Sequence, residues 1–145
     1  MFGLDIILIK KEETAKVEKM KHVLNTENAP KALGPYSQGI KAGDLIFLSG
    51  QLGLDPKTND FASGGVAEQT RQALTNLKHV IESAGSRIEN VVKTTVFLND
   101  MNDFQAMNAV YGEFFKSEPP ARSTVQVAAL PKGGMVEIEA IVKVE

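Results

Sequence analysis

The segment from Val66 to Gly85 constrains the fold of this chain most strongly, because its apolar residues recur three and four positions apart. The members of this apolar face are Val66, Thr70, Ala73, Leu74, Leu77, Val80, Ile81 and Ala84. Such spacing is typical of an amphipathic helix, and the glycine that follows is a typical helix end. The pattern therefore predicts a helix over 66–84 that must cover another layer of the fold.

Short segments rich in β-branched residues predict that this other layer is a sheet. The predicted strands are Gly39–Ala42, Leu45–Gly50, Val91–Leu98, Arg122–Ala128 and Met135–Val144. The first two are expected to form a hairpin through Gly43-Asp44. A second helix is predicted from the helical spacing of Phe104, Met107, Tyr111 and Phe114. We expect Asn102 or a neighbouring residue to cap its start. Pro119-Pro120 separates this helix from the last two strands.

The order strand-strand-helix-strand-helix-strand-strand predicts an α+β domain with two helices on one face of the sheet. The other face also carries apolar side chains, since both faces of Val91–Leu98 do, and Ile141 lies among Glu137, Glu139 and Lys143. Two helices on one side leave that face bare, and an exposed apolar sheet face favours association. We therefore expect a homo-oligomer, with sites between its subunits.

The composition excludes several classes of function. The chain has 145 residues, a formal net charge of -2 and no cysteine. Nucleic acid is not an expected partner, because the positive charge is neither massed nor in excess. His22 and His79 form no ligand-spaced pair, so no metal site is expected. The lack of cysteine suits a reducing compartment, and we expect a cytoplasmic protein. No segment is long and apolar enough for a membrane helix.

Residues 1–19 differ from the rest of the chain, because a short apolar stretch is followed by a run of mixed charge. Neither a secretory signal nor a transit peptide has this pattern. We interpret 1–19 as a non-catalytic extension or an upstream start, with a single domain over 20–145. The alternative is an added strand or helix that pairs with that domain.

Polar residues within or beside predicted strands are the candidates for chemistry. Arg122 offers a planar fork for a carboxylate, and the alternative is an ion pair with a nearby acid. Glu137 and Glu139 lie two apart and face the same way, which suits either acid–base chemistry or a solvated strand face. Ser49 ends a strand beside Gly50, where no nucleophile motif accompanies it. A further loop residue, Tyr36, suggests a pocket wall or an interface.

Several segments, in order, resemble one family. They are NAPKALGPYSQG from Asn28, FLSGQ from Phe47, EQTRQALTNLKHVIESAG from Glu68, VVKTTVFLNDMNDFQAMNAVYGEFF from Val91 and PARSTVQVAALPKGGMVEIEAIV from Pro120. Together they resemble the RidA/YjgF family of reactive-intermediate deaminases. The resemblance implies a chorismate-mutase-like fold and a homotrimer with a central β-barrel and clefts between subunits. It also implies hydrolysis of 2-imino or enamino acids, such as 2-iminobutanoate and 2-iminopropanoate, to 2-keto acids and ammonia without a cofactor.

Site roles follow from the same resemblance. The arginine of PARS, Arg122, would bind the substrate carboxylate, and the first glutamate of VEIEA, Glu137, would position or activate water. The pocket walls that the resemblance implies are Tyr36, Ser49, Gly50, Asn108 and Thr124, with Tyr36 from a different subunit than Arg122. This chain departs from many members in carrying Thr124 where they have cysteine, and its segment from Phe115 to Arg122 looks shorter than in some relatives.

Two other functions remain open from the sequence. One is a non-enzymatic regulator that binds 2-keto acids in the same arginine cleft, which the presence of Glu137 disfavours. The other is an RNA-cleaving translation inhibitor, as the resemblance also allows. The acidic isoelectric point, near 5.7, disfavours that second function because it gives no general attraction for phosphates.

Overall fold

A computed structural model describes residues 2–145 of the chain, and the side chains of residues 3–13 and 20–145. The helices are α1 Phe2–Met20, α2 Val66–Ser83 and α3 Phe104–Phe114, and the strands are β1 Lys21–Leu24, β2 Gly39–Ala42, β3 Leu45–Leu52, β4 Val91–Leu98, β5 Ala121–Gln126 and β6 Val136–Lys143. One sheet contains all six strands in the order β1-β2-β3-β6-β4-β5. The α+β prediction is confirmed, and the described part of the chain has three helices in place of the two expected.

The sheet is mixed, because β5 runs parallel to β4 while the other neighbours are antiparallel. Helices α2 and α3 pack together and cover one face of it. On that face lie the buried residues of β6, which are Val136, Ile138, Ala140 and Val142. The apolar stripe of α2 meets this row, and its members Ala73, Leu74, Val80 and Ile81 are fully enclosed. The core therefore lies between these two helices and the sheet.

Most predicted elements are confirmed, with ends that differ by a few residues. Helix α2 begins at Val66 as predicted and ends at Ser83, before Gly85, whose φ is 76°. The β2–β3 hairpin turns at Gly43, with φ 60°, as the predicted turn requires. The N-cap residue of the second helix is Asp103, a neighbour of Asn102, and its side chain makes no capping hydrogen bond. Asp100 caps the turn before it, where its side chain accepts a hydrogen bond from the Asn102 backbone at 2.8 Å. A short 3-10 turn over Met101–Asp103 then leads into α3.

The N-terminal part of the chain forms two elements that the strand pattern did not predict. Helix α1 runs directly into β1, which pairs with β2 at the edge of the sheet. Every side chain described in residues 3–13 is exposed, including that of Leu4 at 70%. Residues 1–19 thus include helix, and the described apolar side chains of this helix do not enter the core.

The face of the sheet opposite α2 and α3 carries an apolar patch. It comprises Leu45 and Phe47 of β3, Phe97 of β4, Val125 of β5 and Ile141 of β6, and we call it the open face. Phe47 is 44% exposed and Val125 43%. None of the described elements covers this patch. The bare sheet face expected from the residue pattern is therefore present in the protomer.

Candidate active site

Arg122 lies on β5, on the side of the sheet that α3 covers. Its Nη1 donates a hydrogen bond to Asn108 Oδ1 of α3 at 2.7 Å. The guanidinium carbon lies 4.6 Å from the ring centre of Tyr111 and 5.5 Å from that of Phe104. Such stacking holds the planar group in one orientation. We call these four residues the arginine cluster.

No acidic side chain within the described residues forms an ion pair with Arg122. The ion-pair alternative for this residue is therefore wrong for the protomer. Its partner, Asn108, is a neutral acceptor that leaves the positive charge uncompensated. A guanidinium that is oriented but not neutralised is suited to bind an anion from outside.

The same strand contains a second polar feature two residues further on. The Oγ1 of Thr124 is buried and lacks a hydrogen-bond partner within the described residues. Residues two apart on a strand face the same way, so Thr124 and Arg122 share one side of β5. Buried polar atoms are nearly always paired in folded proteins, so an unpaired one on the same side of β5 as a guanidinium without an ion-pair partner is suited to contact an external group.

The remaining predicted site residues come together elsewhere. Tyr36, Ser49, Gly50 and Glu137 line one cavity of about 600 Å³, which we call the glutamate pocket. Its other lining residues are Pro30, Lys31, Leu33, Gln51, Leu52, Leu54, Asn59, Pro131, Lys132 and Glu139. Neither Arg122 nor Asn108 belongs to this lining. The predicted residues thus form two groups in one protomer.

Glu137 sits on β6 against a bulge in β3. The pairing of β3 with β6 shifts between Leu48 and Gln51, so that Ser49 and Gly50 form the irregularity. A Cβ atom added at Gly50 would lie 2.3 Å from Glu137 Oε1. Only glycine therefore leaves room for the carboxylate in its present position. Bulges of this kind are frequent beside active sites, where they redirect a side chain.

The electrostatic environment of Glu137 disfavours its charge. Burial raises the pKa of this carboxyl above its ordinary value, and the negative charge of Glu139 on the same face raises it further. No side-chain hydrogen bond from the described residues stabilises the carboxylate. A glutamate whose pKa is raised toward neutrality is a better proton acceptor for water than an ordinary one.

Tyr36 and Ser49 occupy the pocket in different ways. The Tyr36 side chain is 54% exposed, and its hydroxyl accepts a weak hydrogen bond of 3.4 Å from the Leu33 backbone. Ser49 donates its hydroxyl to the Ser37 carbonyl, at 2.5 Å, and so fastens the loop next to Tyr36 onto β3. The Ser49 hydroxyl therefore serves to hold this loop in the described structure.

The arginine cluster and the glutamate pocket lie on opposite faces of the sheet. Arg122 pairs with Thr94 of β4, and Thr94 pairs with Ala140 of β6. All three face the helices, since the Thr94 hydroxyl is hydrogen bonded to that of Tyr111 at 2.7 Å. Glu137 is three residues from Ala140 on a continuous strand and so faces the other way. Within one protomer, the two charged groups cannot close on the same small molecule.

Several residues of the two groups were not predicted as site residues. Tyr111 and Phe104 belong to the helically spaced residues that predicted α3, and a buried tyrosine in such a row needs a partner for its hydroxyl. Burial raises the pKa of Tyr111, against the opposing effects of the Thr94 hydrogen bond and the Arg122 charge. Lys31 and Lys132 of the glutamate pocket lie within the NAPKALGPYSQG and PARSTVQVAALPKGGMVEIEAIV segments, but no role for either lysine followed from the residue pattern.

The buried side-chain amide of Gln38 holds one loop of the glutamate pocket in place. Gln38, 2% exposed, donates from Nε2 to the carbonyls of Thr26 and Pro30, at 3.0 and 2.8 Å, and accepts from the Thr26 backbone at 2.7 Å. These bonds hold the loop that carries Lys31 and Leu33. Gln38 lies two residues after Tyr36 in the GPYSQG segment, and its place in that motif is the feature of the sequence that indicates it.

The described residues contain no group of three or more histidine, aspartate or glutamate side chains placed to hold a metal ion. No helix among them is long and apolar enough to cross a bilayer.

Comparison with known sequences now identifies the class of protein that this fold and these residues define. A sequence model described as endoribonuclease L-PSP matches residues 26–144. The chain belongs to this family, which is also called the YjgF/RidA family. The matched region begins after α1 and β1 and contains both the arginine cluster and the glutamate pocket.

Individual relatives show which named proteins the chain is similar to. The chain is 53% identical over 122 residues to a RutC family protein of Pyrococcus horikoshii, covering 84% of this chain and 97% of that protein. It is 50% identical over 122 residues to the human 2-iminobutanoate/2-iminopropanoate deaminase, covering 84% and 89%. Relatives at this level of similarity therefore include proteins named for imine hydrolysis and proteins named only for their family.

Solved structures of the family have the same fold. The YjgF gene product from E. coli matches with a TM-score of 0.82 and 47% sequence identity, covering 86% of this chain and 99% of that one. TdcF from E. coli, solved with bound serine, matches with a TM-score of 0.83 and 41% identity, covering 86% and 100%.

Proposed function

We propose that this chain is a 2-iminobutanoate/2-iminopropanoate deaminase, which hydrolyses reactive 2-imino and enamino acids to 2-keto acids and ammonia. The similarity of about 50% identity to mammalian proteins of that name supports the proposal. The observation that carries it is the pair of half-sites: an uncompensated guanidinium in one place and a half-buried carboxylate with raised pKa in another.

We further propose that two protomers complete each site. The open face beside Glu137 is apolar and uncovered, and such faces favour association with another copy of the chain. A homotrimer whose sheets form a central barrel would bury the three open faces together. Each cleft would then combine Arg122 of one protomer with Glu137 and Tyr36 of its neighbour. The chain without cysteine suits the reducing cytoplasm as the place of action.

The chemistry needs only what these residues supply. Arg122 binds the substrate carboxylate through two charge-assisted hydrogen bonds, which fixes the imine carbon in the cleft. Glu137 accepts a proton from water as the water oxygen adds to that carbon, and then passes this proton to the nitrogen. The carbon–nitrogen bond then breaks, ammonia leaves, and the 2-keto acid forms. The same carboxylate can move a proton between carbon and nitrogen when the substrate arrives as an enamine.

A mixed-protomer experiment tests the activity and the shared cleft together. Arg122→Ala and Glu137→Gln chains carry different affinity tags, are expressed together, and are purified through both tags. Neither variant alone should hydrolyse freshly generated 2-iminobutanoate. Each mixed trimer contains one cleft with both wild-type groups, so its activity should be about one third of the wild-type value.

The matched control pairs Arg122→Ala chains with chains that carry both substitutions, and no cleft of that mixture is intact. Mixed trimers that form but remain inactive would contradict a shared cleft. A wild-type protein that binds 2-ketobutyrate yet releases no ammonia from the imine would contradict the deaminase itself and indicate a 2-keto-acid regulator. Cleavage of RNA by wild-type protein but not by Glu137→Gln would favour a ribonuclease instead.

A further inference from the structure

Two lysines of the glutamate pocket have no role in the proposed reaction. Lys31 and Lys132 lie on separate loops, and both line the cavity that contains Glu137. Both lysine side chains are exposed. The two acidic residues of the pocket, Glu137 and Glu139, lie on strand β6. The pocket therefore has carboxylates on its strand and ammonium groups on its loops.

The loop that holds Lys132 adopts a conformation that a lysine does not favour. Lys132 has φ 58° and ψ 15°, which glycine adopts freely and other residues adopt at a cost. Two glycines follow it directly, yet the residue at this position of the turn is a lysine. Its ammonium donates a long hydrogen bond, of 3.4 Å, to the Asn59 carbonyl in the wall of the same pocket. Strained backbone of this kind occurs at binding sites.

The loop that holds Lys31 is also fixed. The carbonyl of Pro30, the preceding residue, accepts a hydrogen bond from the buried amide of Gln38 at 2.8 Å. This anchor sets where the Lys31 side chain begins. Two ammonium groups thus reach one cavity from two supported loops, which is a sound arrangement for binding a second anionic group of a substrate.

The size of the cavity leaves room for such a group. About 600 Å³ is in the range that holds ligands far larger than a four-carbon acid. With the first carboxylate on Arg122 of the neighbouring protomer and the imine carbon near Glu137, a substrate side chain extends into the rest of the pocket. The positively charged side chains that line the pocket are Lys31 and Lys132, and their charge is complementary to that of a second carboxylate.

We propose that Lys31 and Lys132 form a subsite for a second carboxylate, so that the preferred substrates are 2-imino acids with an acidic side chain. This inference rests on the proposed function. In the reaction, water adds to the imine carbon, a carbon–oxygen bond forms, and the carbon–nitrogen bond breaks to release ammonia. Nothing is oxidised or reduced, and the second carboxylate is unchanged.

The test compares two imines, which amino-acid oxidases generate fresh from glutamate and from 2-aminobutyrate. We expect the wild-type protein to favour the dicarboxylic imine. In the double variant Lys31→Met/Lys132→Met, kcat/KM for that imine should fall about tenfold, as expected for losing two partly exposed charge pairs. The value for 2-iminobutanoate should not change. Lys78→Met, on the outer surface of α2, is the control and should leave both values at the wild-type level.

A separate variant removes the charge while relieving the backbone. Lys132→Gly should fold with a thermal midpoint at least equal to that of Lys132→Met, and both should lose selectivity to the same extent. An unchanged ratio between the two imines in the double variant would overturn the subsite, and so would an equal loss for both imines.

Failure of the proposed function is distinguishable from failure of the subsite. If the wild-type protein hydrolyses neither imine, calorimetry with 2-oxoglutarate and 2-ketobutyrate still decides the question. Tighter wild-type binding of 2-oxoglutarate that disappears in the double lysine variant would support the subsite. The same affinity ratio in both proteins would contradict it.

Discussion

The arginine cluster and the glutamate pocket are built on opposite faces of one sheet by opposite means. Arg122 is hydrogen bonded by Asn108 and stacked on Tyr111 and Phe104, so its orientation is set before any ligand arrives. Glu137 has the reverse environment, since burial and Glu139 both disfavour its charge. Under the proposed function, this difference is a division of labour, with a rigid group for binding and a destabilised group for proton transfer.

The sharpest test of this division separates binding from turnover. Glu137→Gln should lower kcat by a factor of about 10²–10⁴, the usual contribution of a general base, and leave the affinity for 2-ketobutyrate close to the wild-type value. Arg122→Ala should abolish that affinity. Single-turnover kinetics and calorimetry measure the two effects, with Glu89→Gln, outside both the arginine cluster and the glutamate pocket, as the control. Equal losses of binding in the two variants would show that the division is wrong.

A smaller effect is expected from loosening the arginine. Asn108→Ala removes the acceptor that orients Arg122, and a hydrogen bond to a charged group contributes enough to change KM by about tenfold. The value of kcat should change much less, because Glu137 is untouched. Steady-state kinetics on 2-iminobutanoate measure the split, and Asn108→Asp, which keeps an acceptor oxygen, should bind the substrate less well through its competing charge. A fall in kcat alone would place Asn108 in the chemical step.

The smallest effect should come from the neighbour of Glu137. Loss of the Glu139 charge in Glu139→Gln removes one of the two causes that raise the Glu137 pKa. The general base is active when ionised, so activity falls as the pH drops through its pKa. A lower pKa in the variant should therefore shift the acid limb of the kcat/KM profile to lower pH. A shift to higher pH would contradict the assigned electrostatics.

The residue pattern predicted the elements better than it predicted their assembly. Helix α2 was found because eight spaced apolar positions outweigh local exceptions. Strand β1 was missed, since Lys21 and His22 mask a segment whose apolar part is only Val23 and Leu24. Edge strands have one neighbour and little burial, so their pattern is weak. The motif residues form two groups of neighbours in the fold, Arg122 with Asn108 in one and Tyr36, Ser49, Gly50 and Glu137 in the other.

The placement of Arg122 and Glu137 on opposite faces could not be predicted in the same way. It depends on which strands pair and in what register, and the pairing of β5 with β4 and of β4 with β6 is set by contacts far apart in the chain. Likewise, the support of Lys31 by Gln38 and the backbone of Lys132 exist only once the loops are folded.

The bulge at Gly50 has a consequence for how this pocket can change over time. The carboxylate of Glu137 fits because the backbone opposite it, at Gly50, has no side chain, and both residues lie on strands of the sheet. Loop residues such as Lys31 and Leu33 can then be replaced, one at a time, without moving the reacting group. Substitutions in those loops, in natural or directed evolution, could broaden the range of substrate side chains that the pocket accepts, while position 50 remains glycine.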